Sequence, residues 1–393
     1  MNGLRKLTDK IKPTFEKGGR LGFLHSTFDA FETFLFVPDT VTRKGTHIKD
    51  SVDLKRIMIM VVLALVPAML FGIWNTGYQH SNAFGLEWGF WQMVWYGILK
   101  VIPLYLVSYI VGLAIEFTSA QIRGHEVNEG YLVSGMLIPL IVPVDVPLWM
   151  LAIAVAFAVI IGKEVFGGTG MNIWNPALLA RAFLFFSYPS RMSGDTVWTG
   201  GVARYMNEGT AFMSGNGLVD GFSGATPLAH PSLDGLQAAG TSFMDMFLGF
   251  IPGSVGETST VAILLGAILL LWTGVASWKT MLSTVLGGLF IGYLGYWCGA
   301  TDLPGYYQLV MGGFAFGAVF MATDPVTSAQ TETGKWIYGF LVGALAVTVR
   351  LFNPGYPEGM MLAILLMNTF APLIDHYVIE GSVKRHAKKV KIA

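Results

Sequence analysis

Long apolar stretches with almost no charged residues constrain this chain more than any other feature. A helix needs about 20 mostly apolar residues to cross the hydrocarbon core of a bilayer. Of the 393 residues, 53% are apolar and only 13% are charged, which is far from the makeup of a soluble domain. The clearest apolar stretches are 57–74, 93–115, 147–162, 258–273, 281–297, 334–349 and 360–378. The sequence therefore predicts an all-α polytopic membrane protein.

Three shorter or interrupted apolar stretches, at 131–142, 176–188 and 308–322, bring the predicted number of membrane helices to about ten. Five of them precede a long polar stretch at 189–257 and five follow it. An odd number of crossings makes the second group start from the opposite side of the membrane. This arrangement predicts two inverted five-helix repeats, as found in many transporter folds.

A weak local signature supports the repeat, because in each half a glycine pair is followed by a polar residue and Pro. The two sets are Gly167-Gly168 with Asn175-Pro176, and Gly312-Gly313 with Asp324-Pro325. Asn or Asp before a Pro is a signature of a helix start, so each set predicts a half-helix broken within or near the membrane. Ordinary loops at helix ends would give the same local signals.

The distribution of Lys and Arg predicts the orientation, because these residues concentrate on the cytoplasmic side. The first 56 residues carry eleven of the 25 basic residues, the segment after Glu380 carries five, and the loops at 75–92, 143–146 and 299–307 carry none. Arg123, Lys163, Lys279 and Lys335 fall on the same side as both termini if each segment crosses once. Both termini are therefore predicted to be cytoplasmic, and the loop at 189–257 external.

These boundaries predict five regions: a cytoplasmic N-terminal extension (1–56), a first membrane repeat (57–188), an external loop (189–257), a second membrane repeat (258–378) and a basic cytoplasmic tail (379–393). The N-terminal residues lack the apolar core and cleavage site of a signal peptide, so we expect them to be retained.

Composition excludes several classes of function. The net charge is zero, so no strongly basic surface indicates a nucleic acid partner, and the single Cys298 excludes an intrachain disulfide or a local iron–sulfur cluster. The seven His residues show no metal-ligand spacing, and we predict no metal site. No glycine-rich dinucleotide loop follows a strand, so NADH is not expected to bind to this chain.

The external loop contains the heptapeptide Asp220-Gly221-Phe222-Ser223-Gly224-Ala225-Thr226. A threonine hydroxyl can be esterified by a phosphate, which tethers a cofactor covalently. Gly221 and Gly224 are expected to keep the segment thin and flexible. On local signals alone, Thr226 could instead cap a turn or helix before Pro227.

The heptapeptide resembles the acceptor site of bacterial flavin transferases, which work outside the cytoplasmic membrane. Further resemblance is spread along the chain, in segments 50–58, 125–130, 163–170, 175–177 and 356–361. Together they resemble a family that comprises the B subunit of the Na⁺-translocating NADH:quinone oxidoreductase and the D subunit of the paralogous ferredoxin:NAD oxidoreductase. The basic N-terminal extension favours the former branch.

The resemblance implies a bacterial inner-membrane subunit that carries FMN covalently on Thr226, within the motif residues Asp220, Gly221, Ser223, Gly224 and Ala225. It also implies a noncovalent riboflavin, reduction of ubiquinone on the cytoplasmic side coupled to Na⁺ export, and five partner subunits (A, C, D, E and F). A periplasmic flavin transferase would act during maturation. The resembled family places the quinone site along the segment that contains Gly112, Leu113 and Glu116, and Leu113 departs from relatives that can have a second Gly there.

Ionisable residues within membrane segments are costly and are therefore functional candidates. Lys100, Glu116, Arg181 and Asp375 meet this criterion. Gly112 lies one helical turn before Glu116, so a flat ring is expected to fit beside the carboxylate. Glu116 and Asp375 are the candidates for the sodium path, although each of these charges could equally belong to a structural pair, such as Lys163 with Glu164 near a helix end.

Riboflavin is predicted near Asn175 and Asp324, because helix starts offer unpaired N–H donors to a polar ring edge. Two other classes of function stay open. A solute channel or transporter would share the inverted repeat and carry no flavin, and a structural membrane anchor would tolerate removal of the charges of Glu116 and Asp375.

Overall fold

The computed structural model describes residues 2–15, 22, 28, 32, 45, 54–123, 130–204, 218–219, 221–353, 355 and 358–392. Asp220 of the acceptor motif, the segment 124–129 and the pair 356–357 therefore lie outside the described residues. Within the described ranges the regular secondary structure is entirely helical, with an N-terminal helix at Asn2–Phe15 followed by the membrane helices.

Within the described residues, ten helices, numbered α1 to α10, match the ten predicted apolar segments. The first five are α1 (Leu54–Ala83), α2 (Phe90–Arg123), α3 (Tyr131–Ile141), α4 (Leu148–Gly162) and α5 (Pro176–Ser187). The second five are α6 (Thr260–Trp272), α7 (Trp278–Trp297), α8 (Phe314–Phe316, continued by the π-helical turn Gly317–Met321), α9 (Glu332–Phe352) and α10 (Met360–Ile392). Short helices at Leu233–Ala238, Phe243–Leu248 and Tyr307–Val310 lie between them.

Five helices within the described ranges are long and apolar enough to cross a membrane: Ile57–Ala83, Phe90–Arg123, Leu148–Phe166, Glu332–Phe352 and Met360–Lys388. Helices α3, α5 and α6 are apolar but shorter. This division confirms the prediction of a polytopic all-α membrane protein that also contains half-helices. Such short helices are tolerated at membrane depth only where protein surrounds them, and most residues of α3 are indeed buried.

The two halves share most of their helix contacts; one difference is that α1 packs extensively against α2, whereas α6 and α7 form no contact of comparable extent within the described residues. In the first half α2 contacts α3 and α4, α3 contacts α1 and α5, and α4 contacts α5; in the second half the equivalent contacts join α7 to α8 and α9, α8 to α6 and α10, and α9 to α10. Between the halves, α1 packs against its equivalent α6, and α5 packs against its equivalent α10. Equivalent helices meet in this way when two repeats face each other across a pseudo-two-fold axis.

Small residues allow the helices to approach closely. A Cβ atom added at Gly287 of α7 would collide with the backbone of Phe340 in α9, and one added at Gly343 of α9 would collide with the backbone of Thr284. These two glycines explain why α7 and α9, which carry several glycines and polar residues, form the most extensive helix pair of the fold.

The loops predicted to share one side of the membrane do gather on one face of the structure. Asp145 accepts a hydrogen bond from the Gly201 amide, the Val219 amide donates to the Ala83 carbonyl (3.0 Å), and Thr301 donates to the Pro231 carbonyl (3.3 Å). The loops at 75–92, 143–146 and 299–307 thus contact the central loop. Which aqueous compartment this face meets remains a prediction of the charge distribution.

The two predicted helix starts differ in the structure. Asn175 caps α5, because its side chain accepts from the amides of Ala177 (3.0 Å) and Leu178 (3.4 Å). Asp324 does not begin a helix, so that prediction was wrong: its carboxylate accepts from the Val326 amide (3.1 Å) and closes a turn. The same side-chain-to-backbone bond forms in Asx turns and in helix caps, so the local sequence could not separate them.

Candidate functional site

Thr226 lies in extended backbone directly before the short 3₁₀ helix Pro227–Ala229. Its side chain makes no capping hydrogen bond to that helix, so the alternative interpretation of Thr226 as a capping residue has no support. Gly221 adopts a left-handed conformation with φ of 76°, which only glycine adopts without strain.

Gly224 is required by close packing. A Cβ atom at this position would collide with the backbone carbonyl of Asp195 and lie 3.3 Å from the Thr199 hydroxyl. The expectation that Gly224 serves flexibility therefore needs revision, because here the glycine lets the segment lie flat on residues 195–199.

Two neighbouring cavities adjoin Thr226. The larger has a volume of about 620 Å³ and is lined by residues from both halves and the central loop, among them Arg181, Trp198, Thr226, Arg350 and Glu358. The smaller is also lined by Trp198 and Thr226 and extends to Glu257 and Thr258. The Thr258 hydroxyl is buried and has no hydrogen-bond partner in the described part of the chain. The acceptor hydroxyl is therefore next to space that has the size of a ligand site.

A buried cluster of charges borders both cavities. The Arg181 guanidinium donates to Glu257 (2.5 Å) and to Glu358 (2.9 Å), and Glu257 also accepts from the Ser254 hydroxyl (2.8 Å). Arg181 and Glu257 have side chains about 5% and 6% exposed, so breaking the cluster would leave an uncompensated buried charge, which costs about 3–5 kcal/mol. Arg181, predicted as a charge within a membrane segment, is buried in α5, and its pairing with Glu257 and Glu358 explains how the structure accommodates that charge.

The sequence interpretation missed Glu257 and Glu358. Both lie at the edges of apolar segments, where a carboxylate ordinarily reaches water. A signal was present for Glu358, because it belongs to the segment 356–361 that carried part of the family resemblance.

Arg350 fixes the break before α8. Its guanidinium donates to the carbonyls of Gln308 (2.6 Å), Met311 (2.9 Å) and Glu358 (3.1 Å). The carbonyls of Gln308 and Met311 lie at the end of the short helix Tyr307–Val310, where a helix leaves carbonyls without intrahelical partners. The side chain that lines the cavity thus also stabilises the broken helix.

Asn175 and Asp324 contact each other. The Asn175 amide donates to Asp324 at 3.2 Å, and Asp324 also accepts from the Thr327 hydroxyl at 3.0 Å. Both residues line a third cavity, together with Ser134, Lys163 and Thr169 among others. The Thr169 hydroxyl is buried without a partner in the described residues. Asn175 precedes α5 and Asp324 follows α8, so the two residues are not equivalent positions of the repeat as the sequence predicted. They nevertheless meet at a polar-lined cavity, where the amides of Ala177 and Leu178 are capped by Asn175 rather than available to a ligand.

Glu116 forms a buried ion pair with Lys163, and both side chains are about 4% exposed. The second carboxylate oxygen of Glu116 has no partner within the described residues. The suggested pair of Lys163 with Glu164 is not formed: Glu164 accepts instead from the Ser119 hydroxyl (2.5 Å) and lies 3.8 Å from the Arg123 guanidinium. Through Lys163, Glu116 is linked to the cavity of Asn175 and Asp324.

The space beside Gly112 is already filled. The ring of Tyr131 occupies the position that a Cβ atom at Gly112 would take, and the Tyr131 hydroxyl donates to the Ser108 carbonyl (2.9 Å). Leu113 packs against the main apolar core. The flat ring expected beside Gly112 is thus an aromatic side chain of the chain itself.

Asp375 of α10 caps the start of α9. Its carboxylate accepts from the amides of Gln330 (2.7 Å) and Thr331 (2.9 Å) and from the Thr331 hydroxyl (2.5 Å). Asp375 and Glu116, both described, form no hydrogen bond or ion pair with each other. Lys100, the fourth predicted intramembrane charge, pairs with Asp145 at 2.6 Å on the face of the central loop.

Comparison with known proteins agrees with this architecture. Residues 41–384 match the model of the NQR2, RnfD, RnfE family. The B subunit of the Na⁺-translocating NADH-quinone reductase of Pseudomonas paraeruginosa is 45% identical over 98% of both chains. The proteins of the same name from Ectopseudomonas mendocina and Chromohalobacter salexigens are 44% and 43% identical over 98% of this chain and 98% and 97% of theirs. A match of this extent to the family and to its curated members shows that the chain belongs to the NQR2, RnfD, RnfE family.

Proposed function

We propose that this chain is the flavin-carrying membrane subunit of an Na⁺-pumping NADH:ubiquinone reductase. The observation that carries the proposal is Thr226, a hydroxyl free of any capping role at the edge of a cavity of about 620 Å³. The relatives are named as one subunit of that reductase, and they align with this chain over nearly their whole length. The partners would be the five other components of the complex (A, C, D, E and F), with ubiquinone and Na⁺ as further ligands.

FMN joined through its phosphate to Thr226 fits the residues on this face. The tether would leave the flavin ring beside the two cavities, where the unpartnered Thr258 hydroxyl and the Trp198 ring offer polar and apolar contacts. A flavin supplies one- and two-electron redox chemistry. The contribution of the chain is to hold the tether in place and to keep the cavity walls rigid through the buried cluster of Arg181.

Riboflavin is proposed for the opposite cavity, at Asn175 and Asp324. Polar residues line this cavity, among them Ser134, Lys163 and Thr169. The unpartnered hydroxyl of Thr169 supports this assignment, because a buried polar atom without a partner is costly unless a ligand or water satisfies it. The donors would therefore be side chains, rather than the helix-start amides expected from the sequence.

The quinone site is proposed along α2, at Gly112, Leu113 and Glu116, where a quinone ring could lie beside Gly112 only after the Tyr131 ring moves away, and the sodium path is proposed at Glu116 and Asp375. Support comes from the unpaired oxygen of Glu116 and from its link through Lys163 to the cavity of Asn175. Cation passage would need Glu116 and Asp375 to exchange some of their present hydrogen-bond partners.

Two alternatives are distinguished by specific observations. The D subunit of the paralogous ferredoxin:NAD complex would share the Thr motif, but the basic N-terminal extension at 1–56 and the alignment of whole chains favour the B subunit of the sodium pump. A solute channel or transporter would share the inverted repeat and would have no reason to carry a covalent flavin.

The decisive experiment measures covalent flavin on the purified, denatured chain. Thr226→Ala is expected to abolish ultraviolet fluorescence of the gel band and the mass increase of the peptide that contains residue 226. Thr241→Ala, in the same loop, is the matched control and should retain both signals. Fluorescence that persists in Thr226→Ala, or is missing from the wild-type chain, would refute the proposal.

Localisation in the bacterial inner membrane, with both termini cytoplasmic, follows from the same proposal. A reporter that is active only in the periplasm is expected to be active when fused near Asn216 and silent when fused after Ile392. The reverse pattern would place Thr226 out of reach of a periplasmic flavin transferase and would contradict the assignment.

A further inference from the structure

A cluster of buried polar side chains lies behind the acceptor segment, and the proposed function makes no use of it. His80 at the end of α1 and Tyr96 in α2 stack with ring centroids 4.1 Å apart, and Trp88 closes the group at 5.1 Å from His80. His80 is 1% exposed and Tyr96 4%. A histidine buried this deeply needs a structural reason.

The reason is a hydrogen bond to the central loop. The Nδ1 atom of His80 lies 2.7 Å from the Gly200 carbonyl oxygen. A carbonyl can only accept, so Nδ1 must carry the proton and donate. This contact joins α1 to a loop residue 120 positions further along the chain.

A second contact holds the next residue. The Asp145 carboxylate accepts from the Gly201 amide, and its other oxygen pairs with Lys100 at 2.6 Å. Gly201 has a φ of 87°, and a Cβ atom there would lie 3.2 Å from the His80 ring and 3.3 Å from the Tyr96 hydroxyl. The hydrogen bonds from His80 to Gly200 and from Gly201 to Asp145 therefore hold this backbone against the cluster.

The opposite side of the same backbone supports the acceptor segment. We call residues 195–201 the shelf. Gly224 lies against Asp195 and Thr199 of the shelf, while Trp198 lines both cavities next to Thr226. Thr199 is fully buried between the two layers. Displacement of the shelf would therefore move Gly224 and a cavity wall together.

We propose that His80 and Asp145 are positioning residues that hold the shelf against α1 and α2 and thereby hold the group attached at Thr226 inside its cavity. This inference rests on the proposed function for the attached flavin, whereas the contacts of the shelf itself do not. His80 and Asp145 act through the Gly200 carbonyl and the Gly201 amide and touch neither Thr226 nor its cavity.

Two pairs of variants separate the hydrogen bonds from simple volume. His80→Leu removes the donor to Gly200, whereas His80→Asn places an amide N–H near the position of Nδ1. Asp145→Ala removes the acceptor for Gly201, whereas Asp145→Asn retains a carbonyl oxygen. Ser242→Ala, which breaks the capping box of the nearby helix Phe243–Leu248, is the control for general loosening of the loop.

Hydrogen exchange of the full chain in nanodiscs gives the first measurement. Loss of one buried hydrogen bond shifts a local opening equilibrium by about tenfold, so His80→Leu and Asp145→Ala should exchange amides 195–202 about tenfold faster. The Asn variants and Ser242→Ala should exchange them at about the wild-type rate. Exchange in α4, which does not contact the shelf, should be unchanged in all five variants.

The second measurement is iodide quenching of the covalent flavin in the native chain, with the signal of Thr226→Ala subtracted to remove noncovalent flavin. His80→Leu and Asp145→Ala should raise the quenching constant several-fold, and the Asn variants should restore it. The inference would be overturned if the shelf amides of His80→Leu and Asp145→Ala exchanged at the wild-type rate. It would also be overturned if those amides exchanged faster but the quenching constant of the flavin did not rise. If His80→Leu does not accumulate, the partly exposed Asp145 carries the same test. Absence of covalent flavin from the wild type would refute the proposed function instead. The exchange data would still test whether His80 and Asp145 hold the shelf against α1 and α2.

Discussion

Removal of the Glu116 charge is the most informative perturbation, because the carboxylate is both a proposed functional group and one half of a buried pair. Glu116→Gln changes the volume little but leaves the Lys163 ammonium without its partner, in a site where both side chains are about 4% exposed. Breaking a buried pair by removing one member costs about 3–5 kcal/mol. At a few degrees per kcal/mol, the thermal midpoint should fall by on the order of 10 °C.

A double-variant cycle separates the two roles. Lys163→Gln alone should destabilise the chain by a similar amount, because the Glu116 carboxylate is then unpaired. In Glu116→Gln/Lys163→Gln two neutral amides face each other, so most of the midpoint should return. Glu380→Gln is the control for loss of an exposed pair, since that carboxylate pairs with Lys384 and the two side chains are about 42% and 70% exposed, and should cost about 1 kcal/mol or less.

The assay records thermal midpoints in nanodiscs and initial rates of quinone reduction against sodium concentration in the assembled complex. We expect the double variant to recover its midpoint but not its rate or sodium stimulation, because the charge of Glu116 is still missing. Recovery of both would assign Glu116 to structure alone. Destabilisations that simply add in the double variant would instead refute the coupling between Glu116 and Lys163.

Three further outcomes are expected. Asn175→Ala and Asp324→Ala should each lower the content of extractable riboflavin, whereas Ser259→Ala, which removes the cap of α6, should retain it; a full complement in both variants would place the site elsewhere. Gly112→Ala would overlap the ring packed on it and should cost about 1–3 kcal/mol in thermal stability, so an unchanged midpoint would contradict that packing. Asp375→Ala removes the acceptor for the Gln330 and Thr331 amides just before α9 and should cost about 1 kcal/mol while lowering sodium stimulation, and unchanged sodium kinetics would leave it a structural residue only.

Features encoded by neighbouring residues could be predicted from the sequence. The apolar stretches gave the ten membrane helices, since the cost of exposing charge to lipid acts on every residue of a span. Asn175 followed by Pro176 predicted the start of α5, because a cap acts within its own turn. Asp324 followed by Pro325 has the same signature but forms a turn, because the residues that follow determine whether a helix or a turn forms.

Pairings between distant residues could not be predicted. Lys163 pairs not with its neighbour Glu164 but with Glu116, which is 47 positions away, and Arg181 has partners 76 and 177 positions along the chain. Such pairs depend on which helices pack together, and composition or spacing does not fix that choice. The contact between Tyr131 and Gly112 could not be predicted for the same reason.

The hydrogen bond between Asn175 and Asp324 joins the first half to the second across the cavity that both residues line. Because residues of both halves form its walls, the shape of this cavity depends on how the halves are placed relative to one another. A change in that placement would break the hydrogen bond and reshape the cavity at the same time. Occupancy of the cavity and the arrangement of the halves are therefore thermodynamically linked, and an occupant that binds one arrangement more tightly stabilises that arrangement.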